Sequence, residues 1–283
     1  MPRPDFIIIG AQKGGTSWLR YHLRAHSSVF LPESEVHFFD KKHHFSKGQG
    51  WYESHFQSAR SSQIIGEKTP DYLWTTSDGA EQHKAGAQER IYDLYPDVKL
   101  IVTLRNPVNR AVSALNHLIR TQRVSPLHEV DDLLFGDMQD HVDAHGVLSE
   151  GLYYRQLQTY LDLFDRDQML ILLFEEDVVG NPRETLCRLY DFIGVSPDVE
   201  REDPSETRGG HGRSLLGMLL QYYLLPKDLV DLLDWPLPST KLCPSPDAVL
   251  RLYDFYEEEN EKLFDLIGRR PASWLRTTAP PYE

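Results

Sequence analysis

Apolar residues recur along this chain in two forms that alternate over its first two-thirds. One is the short unbroken run: Phe6-Ile-Ile-Ile9, the apolar stretch from Val98 to Leu104, and Met169-Leu-Ile-Leu-Leu-Phe174. Runs of this length bounded by turn residues predict strands buried on both faces. They fall at about 5–10, 98–104 and 169–174, and the last reads as a central strand of the sheet. Shorter apolar stretches predict strands at Val29–Leu31 and 63–66. The other form is the 3–4 spacing of a helix face. Leu157, Tyr160, Leu161 and Phe164 predict a helix over 151–165, and Ile91 and Leu94 give a core-facing stripe to a helix over 80–95. Further helices are predicted over 15–26, 107–121, 182–193, 214–234 and 247–268. Pro107 and Pro182 stand in first turns, where a missing N–H costs nothing, and Gly194 closes the helix that Pro182 opens. The stretch 125–150 reads as helix in pieces. The stretch 32–50, rich in His and Phe, and the Gly/Pro-containing 195–213 read as loops. No internal repeat interrupts the pattern. Alternation of this kind predicts an α/β fold with a mostly parallel central sheet flanked by helices on both faces.

Composition narrows the class. At 283 residues the chain suits one domain with a sizeable core, taken as 1–283. Hydrophobic residues at 40% and aromatics at 11% exclude a disordered chain. The formal net charge is −13. Polyanions are ordinarily met by basic surfaces, so no nucleic-acid partner is expected. Cys187 and Cys243 are far apart in the sequence, which points to a reducing compartment. No 18-residue apolar run occurs and no signal peptide precedes the first strand, so the expectation is a soluble, cytoplasmic protein without a membrane span.

Three segments carry chemistry. In Asp5-Phe-Ile-Ile-Ile-Gly10-Ala-Gln-Lys13-Gly14-Gly15-Thr16-Ser17-Trp18, a buried strand runs through a glycine turn into a helix. Glycines let the backbone approach an anion, and the first N–H groups and the positive end of the helix dipole point at it. The nucleotide-triphosphate loop Gly-x-x-x-x-Gly-Lys-Ser/Thr places its lysine after the last glycine and a hydroxyl on magnesium. Here Lys13 precedes Gly14 and Gly15, Thr16 and Ser17 follow directly, and no metal-holding position accompanies them. Taken alone, the turn fits plain packing as well. The second segment, Arg105-Asn-Pro107-Val-Asn-Arg110-Ala-Val-Ser113, again leads from a strand into a helix. An arginine fork there suits a phosphate. The third, Glu33-Ser-Glu35-Val36-His37-Phe38-Phe39-Asp40, supplies a carboxylate and an imidazole on a loop. Ligands of such sheets bind beyond the carboxyl ends of the strands. Lys13 and Arg105 fall at those ends, and Lys68 follows one.

The Lys13–Ser17 turn resembles the 5′-phosphosulfate loop of sulfotransferases, which use 3′-phosphoadenosine 5′-phosphosulfate (PAPS). Arg105-x-Pro-x-x-Arg-x-x-Ser113 matches the family element that holds the 3′-phosphate. Glu35-Val-His37-Phe-Phe-Asp40 resembles the heparan sulfate 3-O- and N-sulfotransferase group. So do Gly50-Trp51-Tyr52, Gly66-Glu67-Lys68-Thr69-Pro70, Gly151-Leu-Tyr153 and Glu261-Lys-Leu-Phe264, and the likeness covers nearly the whole chain. It implies the P-loop-like sulfotransferase fold and a soluble, bacterial-type enzyme that moves the sulfuryl group of PAPS in line to an acceptor hydroxyl or amine, without a metal. Glu35, with His37 beside it, takes the acceptor proton, and burial under Phe38, Phe39 and Trp51 is expected to raise its pKa. Lys13 neutralises charge on the leaving phosphate, and Lys68 either holds the sulfonate or orients Glu35. Gly14, Gly15, Thr16 and Ser17 hold the 5′-phosphate; Arg105 and Ser113 hold the 3′-phosphate. The family's basic C-terminal loop has its counterpart in Arg208-Gly-Gly-His-Gly-Arg213. The group's close cysteine pair is missing, and with a net charge of −13 a sulfated polysaccharide is not carried over as the acceptor. A small molecule, a glycan or a carrier-bound acyl group remains. A P-loop kinase and a non-catalytic PAPS-binding protein are the alternatives.

Overall fold

The computed structural model describes residues 2–75, 86–196, 214–224 and 240–276. They form two compact units. The first comprises Met1–Asn106, Leu152–Arg208 and Glu258–Leu275; the second comprises Pro107–Gly151, Gly209–Glu257 and Arg276–Glu283.

The first unit is built on five parallel strands, β1 (Phe6–Gly10), β2 (Val29–Phe30), β3 (Ile64–Lys68), β4 (Lys99–Leu104) and β5 (Met169–Leu173), in the order β2-β3-β1-β4-β5. Phe6 stands beside Gly66 on one side and Lys99 on the other, and Leu100–Leu104 pair in step with Met169–Leu173. Alternate residues of each strand enter opposite layers. Ile7, Ile9, Leu100, Val102, Met169, Ile171 and Leu173 pack with Tyr52 of α3 (Gln49–Ser54), Ile91 of α4 (Ala87–Leu94), Leu157 and Tyr160 of α8 (Tyr153–Leu161) and Leu263 of α11 (Pro246–Ile267). Phe6, Ile8, Ile101 and Leu172 pack with Trp18, Leu19 and Leu23 of α1 (Thr16–Ala25) and Leu186, Leu189 and Ile193 of α9 (Pro182–Ile193). Each fully buried side chain of this kind contributes roughly 1.5–3 kcal/mol of transfer free energy. The unbroken apolar runs are therefore the mark of a sheet covered on both faces.

Four expectations change. β5 lies at the sheet edge and not at its centre. Its apolar run reports two covered faces, a condition an edge strand meets equally when helices lie over both. The segment 32–50 contains helix α2 (Lys42–Phe45) and the start of α3. β3 extends through Lys68, so that lysine ends the strand instead of following it. Phe174, read as the end of a strand, opens a π-helical turn over Phe174–Val179.

The second unit holds α5 (Pro107–Arg120), α6 (Val130–Phe135), α7 (Gln139–Asp143), α10 (Leu215–Tyr223) and the beginning of α11. Its centre is Arg110, fully buried, with Nη1 3.2 Å from Glu150 Oε2 and Nη2 donating to Gly146 O at 2.9 Å. Tyr256 donates to Leu148 O at 2.9 Å, and Asn116 donates to Leu242 O at 2.8 Å. The predicted helix over 214–234 is described only to Tyr223, and Arg208–Arg213 lies outside the described residues. Among the described residues no helix is long and apolar enough to cross a membrane.

Candidate active site

β1 ends at Gly10, and the chain turns beneath β4 before α1 begins. A Cβ on Gly14 would lie 2.4 Å from Thr103 O and 3.0 Å from Ala11 O, so only glycine lets the backbone pass there. Gly15, at φ 99°, is the N-cap of α1 and offers no side-chain acceptor, and the first turn carries no acidic residue. The Trp18 N–H is taken by Gly15 O at 2.9 Å, and the N–H groups of Thr16 and Ser17 ahead of it face the end of the helix where the dipole favours an anion. Lys13 sits in this turn at φ 65°. Left-handed backbone at a residue with a Cβ is strained and persists where its surroundings impose it. Thr16 is buried and Ser17 is exposed. The loop therefore fits a phosphate group through its backbone N–H groups and the Lys13 ammonium.

Arg105 follows β4 directly. Its Nη1 donates to Lys13 O at a long 3.5 Å, and Tyr153 Oη donates to Arg105 O at 2.9 Å. The guanidinium stands 5.2 Å from the ring centroid of Phe174. The two loops singled out in the sequence thus meet at Lys13 and Arg105. Ser113 is half-buried on α5, in the second unit. The other arginine of that segment, Arg110, is committed to Glu150 as described above.

Lys68, Glu35 and His37 come together at the end of β3. Lys68 Nζ donates to Glu35 Oε1 at 2.5 Å across 33 positions of sequence, and His37 Nε2 lies 3.4 Å from Glu35 Oε2. On its other side His37 Nδ1 donates to Asp40 Oδ2 at 2.8 Å, and Asp40 is fully buried. His37 has φ 52°, and its N–H donates to Thr69 Oγ1 at 3.3 Å. Its carbonyl accepts from His44 Nδ1 at 3.0 Å, and the next N–H, of Phe38, donates to Tyr72 Oη at 2.9 Å. The strained backbone is therefore held from both sides. Thr69 Oγ1 in turn donates to Glu67 Oε1 at 2.5 Å beneath the loop. Gln12, from the glycine turn, donates to Asp71 Oδ1 at 3.1 Å. Asp71 brings a carboxylate oxygen into a group with His37 and Asp40 whose ligand atoms all lie within 4.8 Å of one another. Spaced so, the three are the described residues best able to hold a metal ion; here the Nδ1 of His37 is engaged with Asp40.

The expected rise in the Glu35 pKa is overturned. Burial does push the carboxyl up, but hydrogen bonds from His37 and Lys68 and their charges outweigh it and hold Glu35 at about 2. Burial pulls His37 down, while its hydrogen bonds to Asp40 and Glu35 and the charges of Asp40 and Asp71 bring it to about 9. Phe38 and Phe39 are both buried in the core, their ring centroids 4.7 and 5.1 Å from that of Tyr52. Glu67, fully buried near Asp40, is raised to about 8, chiefly by burial.

These shifts have a stability consequence. His37 gains a folded-state proton, so its contribution is complete below its ordinary 6.5 and is lost as pH rises through about 9. Glu67 keeps a proton that the unfolded chain releases above about 4.5, so its contribution declines from there to about 8. Glu35 acts oppositely, its contribution present above 4.5 and lost as pH falls toward 2. The melting temperature should therefore fall between pH 6.5 and 9, and less steeply up to pH 8 in Glu67→Gln. A flat profile in the unmodified protein would contradict these assignments.

Sequence reasoning did not assign Gln12, Asp40, Glu67, Asp71, Phe174 or Glu175. Asp40 carried a signal, since His37 and Asp40 stand three apart on one loop. Glu67 bonds Thr69 two residues on, while Gln12, Asp71, Phe174 and Glu175 have partners distant in sequence and carried none.

A family model described as a sulfotransferase domain matches residues 3–207. The mouse (Mus musculus) heparan sulfate glucosamine 3-O-sulfotransferases 3B1 and 3A1 are each 34% identical over 274 residues, covering 94% of this chain. The chain spans just under two thirds of their lengths, 64% and 63%. A sulfotransferase from Alicyclobacillus acidocaldarius has a similar structure, with TM-score 0.70 and 27% identity, covering 98% of this chain and 100% of that one. The sulfotransferase domain of the curacin biosynthetic pathway shares the fold at TM-score 0.53 and 18% identity, over 91% of this chain and 99% of that one.

Proposed function

Since this chain belongs to the sulfotransferase domain family, we propose that it moves the sulfuryl group of PAPS to a hydroxyl or amine of a small molecule, glycan or carrier-bound acyl group. The family match, running over 3–207, passes through both compact units, which supports reading the chain as one sulfotransferase domain. The observation that carries the functional reading is the hydrogen bond from Gln12 Nε2 to Asp71 Oδ1, 3.1 Å. It ties an anion-binding turn to a Glu–His–Lys cluster, the two parts a group transfer from a phosphate carrier needs.

The bound donor supplies the sulfuryl group and a phosphate leaving group. The turn from Gly14 to Ser17 holds the 5′-phosphate and Lys13 neutralises the charge that grows on its oxygen as the sulfur–oxygen bond breaks; preorganised charge of this kind is often the largest catalytic contribution. Arg105 takes the 3′-phosphate. Glu35 accepts the acceptor's proton. Its assignment is supported by ionisation: with Glu35 at about 2 and His37 at about 9, Glu35 is the one of the two in its basic form at neutral pH. A carboxylate held that low is a weak base. Lys68 therefore orients Glu35 at a cost to its basicity, and any movement of Lys68 toward the sulfonate would release Glu35 to accept the proton. His37, donating to Asp40 and Glu35, keeps the carboxylate in place.

Calorimetry should show adenosine 3′,5′-bisphosphate binding equally with and without EDTA. Strict dependence on magnesium would sink the reading in favour of a P-loop kinase. Labelled PAPS offered with hydroxylated glycans, lipids and acyl carriers tests transfer directly; binding without transfer to any of them favours a non-catalytic PAPS-binding protein. Arg105→Ala should weaken the bisphosphate by about tenfold or more relative to adenosine 5′-phosphate, because a hydrogen bond to a charged partner is worth roughly 1.5–3 kcal/mol. Equal loss for both nucleotides removes Arg105 from the 3′ site.

A further inference from the structure

The π-helical turn after β5 is tied at several points to the chain that follows β4 and to the chain that follows α11. Its third acidic residue, Asp177, takes Arg269 Nη1 at 2.8 Å, and Glu176 accepts from Ala272 N–H at 3.1 Å. Glu175 accepts from Asn106 N–H at 3.0 Å and from Trp274 Nε1 at 3.1 Å. A turn anchored in this way fixes its first residue, Phe174, and π-turns within a fold often mark functional positions.

The Phe174 ring touches both phosphate elements. A Cβ on Gly15 would lie 2.4 Å from Phe174 Cδ2, so the ring closes directly on the N-cap of α1. The Arg105 guanidinium lies over the same ring, 5.2 Å from its centroid. Hydrogen bonds do little to direct that guanidinium. Nη1 reaches Lys13 O only at 3.5 Å, Nε stands 3.9 Å from Glu175 Oε1, and Nε is buried without a hydrogen-bond acceptor among the described residues. What sets its direction besides the long ion pair with Glu175 is the flat face beneath it.

We propose that Phe174 is a positioning residue for the donor nucleotide: its ring aims the Arg105 guanidinium at the 3′-phosphate and keeps it in register with the Gly15 end of the 5′-phosphate loop. This rests on the reading of Arg105 given above. The ring touches no phosphate itself. It acts by limiting the directions in which Arg105 can present its fork, a limit that a branched aliphatic side chain of similar bulk does not impose.

The test compares the full chain with Phe174→Leu, Phe174→Tyr and Arg105→Ala. Affinities for adenosine 3′,5′-bisphosphate and adenosine 5′-phosphate are measured by calorimetry, and the ratio isolates the 3′-phosphate from general effects on folding. Phe174→Leu should lower that ratio about fivefold, the scale of a partly desolvated cation–π contact. Phe174→Tyr, which keeps the ring, should preserve it. In the Arg105→Ala background the leucine substitution should change the ratio no further, because residues acting through one contact are not additive. Should the leucine variant not fold, Phe174→Met repeats the comparison with an unbranched side chain. An unchanged ratio in a wild-type protein that binds both nucleotides overturns this inference alone, as does a fall that persists without Arg105. A wild-type protein that binds neither nucleotide overturns the donor reading and this inference with it.

Discussion

Glu35→Gln is expected to lower turnover by about 10²-fold or more, the scale on which a general base contributes, while nucleotide affinity stays nearly unchanged. Glutamine keeps the shape and one acceptor oxygen, so it can still accept from Lys68 or from His37 but not from both, and it cannot take up the acceptor's proton. Glu35 meets Lys68 and His37, both in the base cluster and neither in the phosphate turn. Its loss should therefore be felt in chemistry and not in donor binding. His37→Ala should have a smaller effect if the imidazole only braces Glu35 against Asp40. Near-normal turnover in Glu35→Gln together with abolished turnover in His37→Ala would make His37 the base. Indifference to both would remove the whole loop from catalysis.

Lys13→Ala should behave differently, reducing turnover by about 10²–10³-fold, the usual effect of deleting one preorganised donor at a developing charge, and weakening the nucleotide as well. Lys13 lies inside the turn, at φ 65°, and its carbonyl accepts from Arg105. The substitution removes the ammonium but leaves the Gly14 and Gly15 backbone to bind the 5′-phosphate. Loss of affinity should thus be partial and loss of rate larger. If affinity fell to nothing and the residual rate at saturation were normal, Lys13 would be a binding residue only. Single-turnover measurement at saturating PAPS separates the two outcomes.

The alternation of strands and helices, the parallel sheet and the family were legible in the residue pattern. Buried strands and amphipathic helices are local facts: Phe6–Ile9 is apolar throughout because two layers cover it, and Leu157 and Tyr160 are spaced for one helix face. The glycine turn was legible as a motif, since Gly15 stands at φ 99° and Gly14 passes within 3.0 Å of Ala11 O in its own βα unit, although the contacts of Gly14 with Thr103 and of Gly15 with Phe174 belong to the assembled sheet. Strand order was not legible. The run at Met169–Leu173 shows that both faces are covered and says nothing of how many neighbours lie along the hydrogen-bonding direction, so an edge strand passed for a central one. The ionisation of the candidate base was likewise beyond the sequence. Nearby aromatics suggested a raised Glu35, but a pKa is set by the charges within a few ångströms. Lys68, 33 positions away, arrives at 2.5 Å only because β3 ends beside the loop. The ties from Gln12 to Asp71 and from Phe174 to Gly15 and Arg105 have the same origin. Each joins the ends of different strands, and the ends of parallel strands become neighbours only when the sheet is assembled.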